Sequence, residues 1–235
     1  MTTILALDSS TDACSVALIH NNHVTSLFEI AAKSHTQRLL PMVDEVLREA
    51  GCEKRQLDAI AFGRGPGSFT GLRICLGVVQ GLAFGLNLPV VPVSTLAAMA
   101  EGFRRVNSLP DKSPILAALD ARMNEVYWGL FASNEGAPAA ITPEFVMSPA
   151  DVAGQPAVQQ HLASIIGVGA GWQYPDLQAL PVAQIQQEFY PQAQDIVRLA
   201  VKLMAEGKSV SAMQAQPVYL RDQVSWQKRQ RIRSE

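Results

Sequence analysis

The sequence predicts an α/β fold, in which a largely parallel sheet carries an antiparallel three-stranded edge and a second, smaller half follows. Three observations predict it. Short apolar runs alternate with longer segments of helical period. The first three runs are joined by turns and precede the first helix, which makes them a meander. The segment from Ile115 then repeats the start of the chain: Ala6, Leu7-Asp8 and Leu18 recur as Ala118, Leu119-Asp120 and Leu130, each 112 positions on. In both copies an apolar strand ends in Leu-Asp, a polar turn follows, and an apolar strand returns. Such an offset fits an internal duplication.

In chain order, Ile4 to Leu7 reads as a buried strand, Ala13 to Ile19 as a second and His23 to Ile30 as a third. Asn21-Asn22 joins the last two, since asparagine tolerates positive φ in a hairpin turn. Ser34-His35-Thr36-Gln37 matches an S-x-x-Q capping box. The helix behind it places Leu39, Val43, Val46, Leu47 and Ala50 on one face and stops at Gly51, with Pro41 expected to kink it or shift its start. A strand over Leu57 to Phe62 leads into Gly63-Arg64-Gly65-Pro66-Gly67-Ser68-Phe69-Thr70-Gly71-Leu72-Arg73, and a helix follows, capped by Ser68 or Thr70. Pro89 to Val93 is a short strand, and a helix capped by Ser94 or Thr95 runs to about Arg105. The polar, proline-bearing stretch Asn107 to Pro114 is the predicted boundary between an N-terminal domain, 1–106, and a smaller domain, 107–235. Beyond Ile115 to Asp120 and Glu125 to Phe131, strands are expected at Ile141 to Met147 and Ser164 to Val168. Helices are expected at Pro149 to Ala153 and Ala193 to Glu206, the last one packing back on the first domain.

Composition narrows the function classes. Of 235 residues, 48% are hydrophobic and 17% charged, a globular rather than a disordered balance. A formal charge of −2 disfavours a chain that grips nucleic acid unaided. The exception is the basic end, Lys228, Arg229, Arg231 and Arg233, whose simplest reading is a solvated tail. Cys14, Cys52 and Cys75 lack C-x-x-C spacing, which indicates neither disulfides nor zinc and suits a reducing, cytoplasmic setting. The N-terminus lacks a signal-peptide pattern, and the longest apolar window, Ile74 to Val93, is interrupted by Gln80, Asn87 and Pro89, so no membrane span is expected.

The glycine loop suggests two roles. Backbone N–H groups at a helix start suit an anion, here Gly65, Gly67, Ser68 and Thr70. Yet the loop has no Lys after its glycines, as G-x-x-x-x-G-K-[ST] requires, and Thr70 stands where G-x-G-x-x-G needs its third glycine. A tight turn for close packing is therefore the favoured reading. The helix after it carries Gly77, Gly81 and Gly85 on one line. Each mid-helix glycine costs about 1 kcal/mol relative to alanine, so three cost roughly 3 kcal/mol. Close approach of another helix would offset that cost. Because Leu72, Leu76, Val79, Leu82, Phe84 and Leu86 make this helix apolar nearly all round, it is either buried in the chain or covered by a partner.

Catalytic patterns are sparse. His20, His23, His35 and His161 form no H-x-x-x-H or H-E-x-x-H, and Ser68 is not in a G-x-S-x-G elbow, so no catalytic or metal residues are assigned. Asp8 and Asp120, each at a strand end beside a polar turn, are the best candidate carboxylates, against the simpler reading as turn or cap residues.

Four segments resemble one family: Leu5-Ala6-Leu7-Asp8-Ser9-Ser10-Thr11, Gly65 to Arg73, Leu119-Asp120-Ala121-Arg122-Met123-Asn124-Glu125-Val126-Tyr127, and Pro217-Val218-Tyr219-Leu220-Arg221. This is the bacterial TsaB (YeaZ) family, and the resemblance spans almost the whole chain. It implies an actin-like, Hsp70-like fold of the acetate kinase–sugar kinase superfamily, with two ribonuclease-H-like domains, the second reduced. It implies a non-catalytic subunit that works with the transferase TsaD and the ATPase TsaE to form N6-threonylcarbamoyladenosine beside the tRNA anticodon. TsaD carries an H-x-x-x-H metal site that this sequence lacks. Pairing with TsaD, or self-association into a homodimer, is implied through the first two helices, using Leu39, Val43, Val46, Leu47, Leu72, Gly77, Gly81 and Gly85. Asp8, Ser9, Ser10 and Thr11 would correspond to the superfamily's phosphate-contacting turn. No cofactor of its own is implied, but ATP or ADP at the TsaD interface is, and tRNA is reached only through the complex. The competing readings are a peptidase-like or ATP-binding kinase-like enzyme, which turnover dependent on Asp8 would reveal, and a direct tRNA-binding module using the basic tail and Trp226.

Overall fold

The structure, a computed structural model, describes residues 2–32, 34–134 and 137–221. Its elements are β1 (Ile4–Asp8), β2 (Ala13–His20), β3 (His23–Ile30), α1 (His35–Glu49), β4 (Ala59–Gly63), α2 (Phe69–Leu86), β5 (Val90–Val93), α3 (Thr95–Asn107), β6 (Ile115–Asp120), β7 (Val126–Asn134), β8 (Ala137–Ala140), β9 (Phe145–Met147), α4 (Pro149–Val152), α5 (Pro156–His161), β10 (Ile166–Val168), α6 (Pro175–Gln178), β11 (Gln184–Gln186) and α7 (Ala193–Ala205).

They build two sheets of matching order. The first runs β3-β2-β1-β4-β5 and the second β8-β7-β6-β10-β11, with β9 also pairing β7. In each, the first three strands are antiparallel neighbours and the last two join in parallel. The Leu-Asp repeat thus marks equivalent strands, β1 and β6, at the centre of each sheet. This is the duplicated, actin-like α/β class. The reduction of the second half is visible in one comparison: the connection from β4 to β5 holds the 18-residue α2, whereas that from β10 to β11 holds the 4-residue α6.

Strand side chains alternate between two cores, as the period of a β-strand requires. Leu5, Leu7, Ile60 and Phe62 face outward into a core closed by α1 and α2. Ile4, Ala6, Ala59 and Ala61 face inward against Ile196, Val197 and Ala200 of α7. In the second half Ile115, Ala117 and Leu119 meet Leu96, Met99 and Phe103 of α3. Leu116, Ala118 and Trp128 meet Trp172 and Leu177 on the far side. Each half therefore lends its last long helix to the middle of the molecule: α7 packs on the first sheet, and α3, though it precedes the 107 boundary, packs on the second.

The two middle helices are joined by an ion pair between the half-buried Arg105 and the buried Asp195. Arg105 Nε donates to Asp195 Oδ1 at 2.7 Å and its Nη2 to Oδ2 at 3.3 Å. A Cβ on Gly102 would lie 2.6 Å from Asp195 Oδ2, so only glycine lets α3 approach that carboxylate. Burial pushes the Asp195 carboxyl up, and the Arg105 guanidinium beside it only partly restores it. Removing one member of such a pair strands the other. Arg105→Ala is expected to cost about 3 kcal/mol in urea denaturation, with Arg105→Lys recovering part of it; an unchanged midpoint would show that the pair does not hold α3 to α7.

Two local expectations are corrected. The capping box at α1 does not form: Ser34 Oγ turns back and donates to Ala31 O at 3.0 Å, and no side chain caps the helix. Pro41 does not shift the start of α1, which runs through it from His35 to Glu49. Asn21 and Asn22 do take positive φ, 51° and 62°, at the hairpin between β2 and β3.

Candidate functional site: the glycine loop and the outer helix pair

At the end of β4 the chain makes the glycine loop and enters α2, where Ser68 Oγ accepts the Gly71 N–H at 3.3 Å as the helix cap. What faces this loop is the turn after β1. Ser68 N–H donates to Ser10 O at 2.7 Å, and Ser9 Oγ donates to Gly71 O at 2.9 Å. A Cβ would lie 2.4 Å from Ser10 O at Gly67 and 1.9 Å from Ser9 O at Gly71. The glycines here admit a neighbouring backbone. The loop is a packing joint, and the turn seals it.

That geometry corrects part of the predicted phosphate turn. Asp8, Ser9, Ser10 and Gly65 are all buried, and the hydroxyls point into the protein. Asp8 Oδ2 accepts from Ser10 N–H at 3.1 Å and Ser10 Oγ at 2.9 Å, while Oδ1 lies buried without a partner. A Cβ on Gly63 would lie 1.9 Å from that Oδ1. Burial raises the Asp8 carboxyl to about 7 against the pull of the Ser10 hydrogen bonds. Thr11 Oγ1 accepts the Ala13 N–H at 3.2 Å. Of the predicted contacts, Ser68 and Thr70 are exposed and Thr11 and Gly67 half-buried, so the structure does not assemble the set into one accessible cradle.

Asp120, the equivalent carboxylate of the second half, is likewise engaged. Its Oδ1 accepts from Tyr174 OH and from Arg122 N–H, both at 2.9 Å, and its Oδ2 pairs with Arg122 at 3.0 Å. The simpler reading, a turn aspartate, holds for it. The three cysteines are free and buried. Among the described residues, no three His, Cys, Asp or Glu side chains converge as a metal set.

The outer layer is different. Along α2, Leu72, Cys75, Val79 and Ala83 are buried against the first sheet. Gly77, Gly81 and Gly85 lie on the exposed side, and a Cβ built on any of them meets nothing within 4 Å. Phe84 beside them is 75% exposed. Packing within the chain therefore leaves the glycine stripe unexplained. Among the described residues, α2 is also the one helix long and apolar enough to cross a membrane.

On α1 the expected partner residues are corrected. Leu39, Val43, Val46 and Leu47, like Leu72 of α2, are buried in the chain's own core and present nothing to a partner. Their regular spacing is the signature of a core-facing stripe, which they occupy. The exposed residues include Thr36, Gln37, Leu40, Pro41 and Asp44, with Leu40 48% exposed. Leu40 was findable as the apolar residue out of phase with that stripe.

Comparison with known proteins completes the picture. The family model described as TsaD, tRNA N6-adenosine threonylcarbamoyltransferase, matches residues 21–226. The chain is 44% identical to the tRNA threonylcarbamoyladenosine biosynthesis protein TsaB of Escherichia coli K12, covering 96% of this chain and 97% of that one. It is 40% identical to TsaB of Haemophilus influenzae, covering 96% of each. The solved structure of YeaZ from Pseudomonas aeruginosa superposes with a TM-score of 0.86 at 45% identity, over 94% of this chain and all of that one. The chain belongs to the TsaB (YeaZ) family and has a role in tRNA threonylcarbamoyladenosine biosynthesis.

Proposed function

We propose that the chain is a non-catalytic subunit that holds a TsaD-type threonylcarbamoyltransferase through the outer face of α1 and α2, in an assembly that also takes in the ATPase TsaE. The observation that carries this reading is the open glycine stripe, Gly77, Gly81 and Gly85. Three glycines weaken a helix, and this chain gains no contact from them. A second helix lying along the stripe would recover the loss by close backbone approach, at interaxial distances of about 8 Å rather than 10 Å. Phe84 and Leu40 would supply apolar anchors on either side. A contact burying roughly 800 Å² per partner is of ordinary size for a specific complex.

The sealed turn supports the non-catalytic part of the reading. Asp8 has its oxygens enclosed and Asp120 has its own pairs to satisfy, so neither carboxylate is presented to a substrate. Without a transferase the same face would meet itself in a second copy, giving a homodimer. Any nucleotide would then sit at the joint interface, not in a cradle of this chain's own, and the complex would work in the cytoplasm with tRNA.

The test is Gly81→Leu. The side chain enters open solvent in the lone chain, so folding is expected to survive, while copurification with the transferase of the same organism is expected to fall by about a hundredfold in affinity. Light scattering after size exclusion reads both the complex and the homodimer. A complex that persists in the folded variant would overturn the proposal.

A further inference from the structure

A second surface, where a late segment of the chain meets the glycine loop, has features that helix pairing does not use. The segment ending at Arg221 returns across the loop: Val218 N–H donates to Arg64 O at 2.8 Å. Tyr219 then lies against the start of α2, its ring centroid 5.5 Å from that of Phe69. Arg73 touches both, its guanidinium 3.8 Å from the Phe69 ring centre and its Nε donating to Tyr219 OH at 3.2 Å. Both rings stay open to solvent, Phe69 at 56% and Tyr219 at 43%.

Two residues further, Arg221 reaches the second half. It donates to Ala121 O at 3.2 Å and Met123 Sδ at 2.9 Å, and pairs with Glu125. The turn it holds is backbone-strained: Arg122, Met123 and Asn124 are all left-handed, with φ of 61°, 56° and 59°. Such a run without glycine is disfavoured and collects at functional positions. It presents Met123, 61% exposed, and the Arg122 side chain, 83% exposed. Phe69, Arg73, Tyr219, Arg221, Met123 and Arg122 thus follow one another along a single rim spanning both halves.

We infer that this rim is a contact surface for single-stranded RNA, the anticodon loop of the tRNA being modified; this rests on the chain's role in tRNA modification, not on the helix-pairing proposal. Unpaired bases stack on exposed aromatic and guanidinium planes, which Phe69, Tyr219 and Arg73 supply. Phosphates need local cations, which Arg73 and Arg122 supply in a chain whose total charge is −2. The chain continues from Arg221 into a sequence in which four of the last eight residues are Lys or Arg, namely Lys228, Arg229, Arg231 and Arg233. An acidic protein would match the charge but leave the stacked rings without a purpose.

The experiment measures anisotropy of a labelled, unmodified anticodon stem-loop with the full chain, alone and with its transferase, from 50 to 200 mM salt. Binding is expected to weaken with salt at a log–log slope of about −1.4, corresponding to roughly two phosphate contacts. Arg122→Asn removes the charge but keeps a residue that tolerates left-handed backbone. It is expected to weaken binding about fivefold and flatten the slope by about 0.7. Phe69→Ala is expected to weaken binding at least about fivefold with the slope unchanged. Thermal midpoints of both variants should match the parent's. The inference is overturned by no binding at 50 mM salt in either form, by variants that bind like the parent, or by displacement of the stem-loop by polyglutamate at equal charge. Copurification with the transferase is scored separately: it fails with the helix-pairing proposal and is indifferent to this one.

Discussion

Replacing Gly77, Gly81 and Gly85 together by alanine is expected to stabilise the isolated chain by roughly 3 kcal/mol and at the same time to cost it its partner. The two effects have opposite signs because they arise on opposite sides of one surface. Within the chain, each new methyl enters empty space and tightens an exposed helix by about 1 kcal/mol. Across a helix pair, three methyls in line keep the partner's backbone away along the whole contact. The expected loss there is at least about a hundredfold in affinity for the transferase and for self-association. Thermal or urea unfolding, at concentrations where light scattering gives a monomer, reads the first effect, and titration with the transferase reads the second. A stabilised chain with unimpaired pairing would mean that the stripe faces no partner. A destabilised chain would mean that its glycines serve a backbone need that the geometry does not show.

The stripe also shows what the sequence could and could not disclose. The fold was legible because its determinants are local and periodic. The Leu-Asp repeat located the central strands β1 and β6, Asn21-Asn22 turned the first hairpin, and Ser68 capped α2. Elements of the second half were harder, because β8, α5, α6 and β11 are three to six residues long and too short to display a period. Which face of a helix looks inward was legible for α1 and misassigned to a partner: an apolar stripe reads the same whether it meets a sheet of its own chain or another molecule. Glycines on an otherwise apolar helix are more telling, since they have no reason to face a core that larger residues fill. Phe84 and the arginine rim could not be ranked from the sequence, because their significance lies in exposure and in contacts between residues about a hundred or more positions apart.

The phosphate turn misled for a chemical reason, and Asp8→Asn tests it. The folded chain holds the Asp8 carboxyl at about 7, against an ordinary value of 3.8, because burial disfavours the charge and the Ser10 hydrogen bonds only partly compensate. Between these values the folded state keeps a proton that the unfolded state has released, so this group's contribution to stability falls as pH rises from about 4 to 7 and is level above that. Asparagine fills the same space without ionising. Relative to the parent, Asp8→Asn is therefore expected to gain about 4 kcal/mol between pH 4 and pH 8. Nearby thiols do not distort the comparison, since burial pushes Cys14 up to about 12 and Cys75 well above its ordinary range. Asp195, also raised by burial, titrates alike in both proteins. Urea midpoints across this pH range decide it, and parallel profiles would show that Asp8 is solvated and the turn open. Copurification of Asp8→Asn with the transferase should be undiminished, because the turn is buried beneath the first turn of α2 and the glycine stripe lies farther along that helix on its exposed face. A carboxylate needed to hold a phosphate would fail that substitution, whereas one serving to seal Ser9 and Ser10 against the glycine loop would survive it.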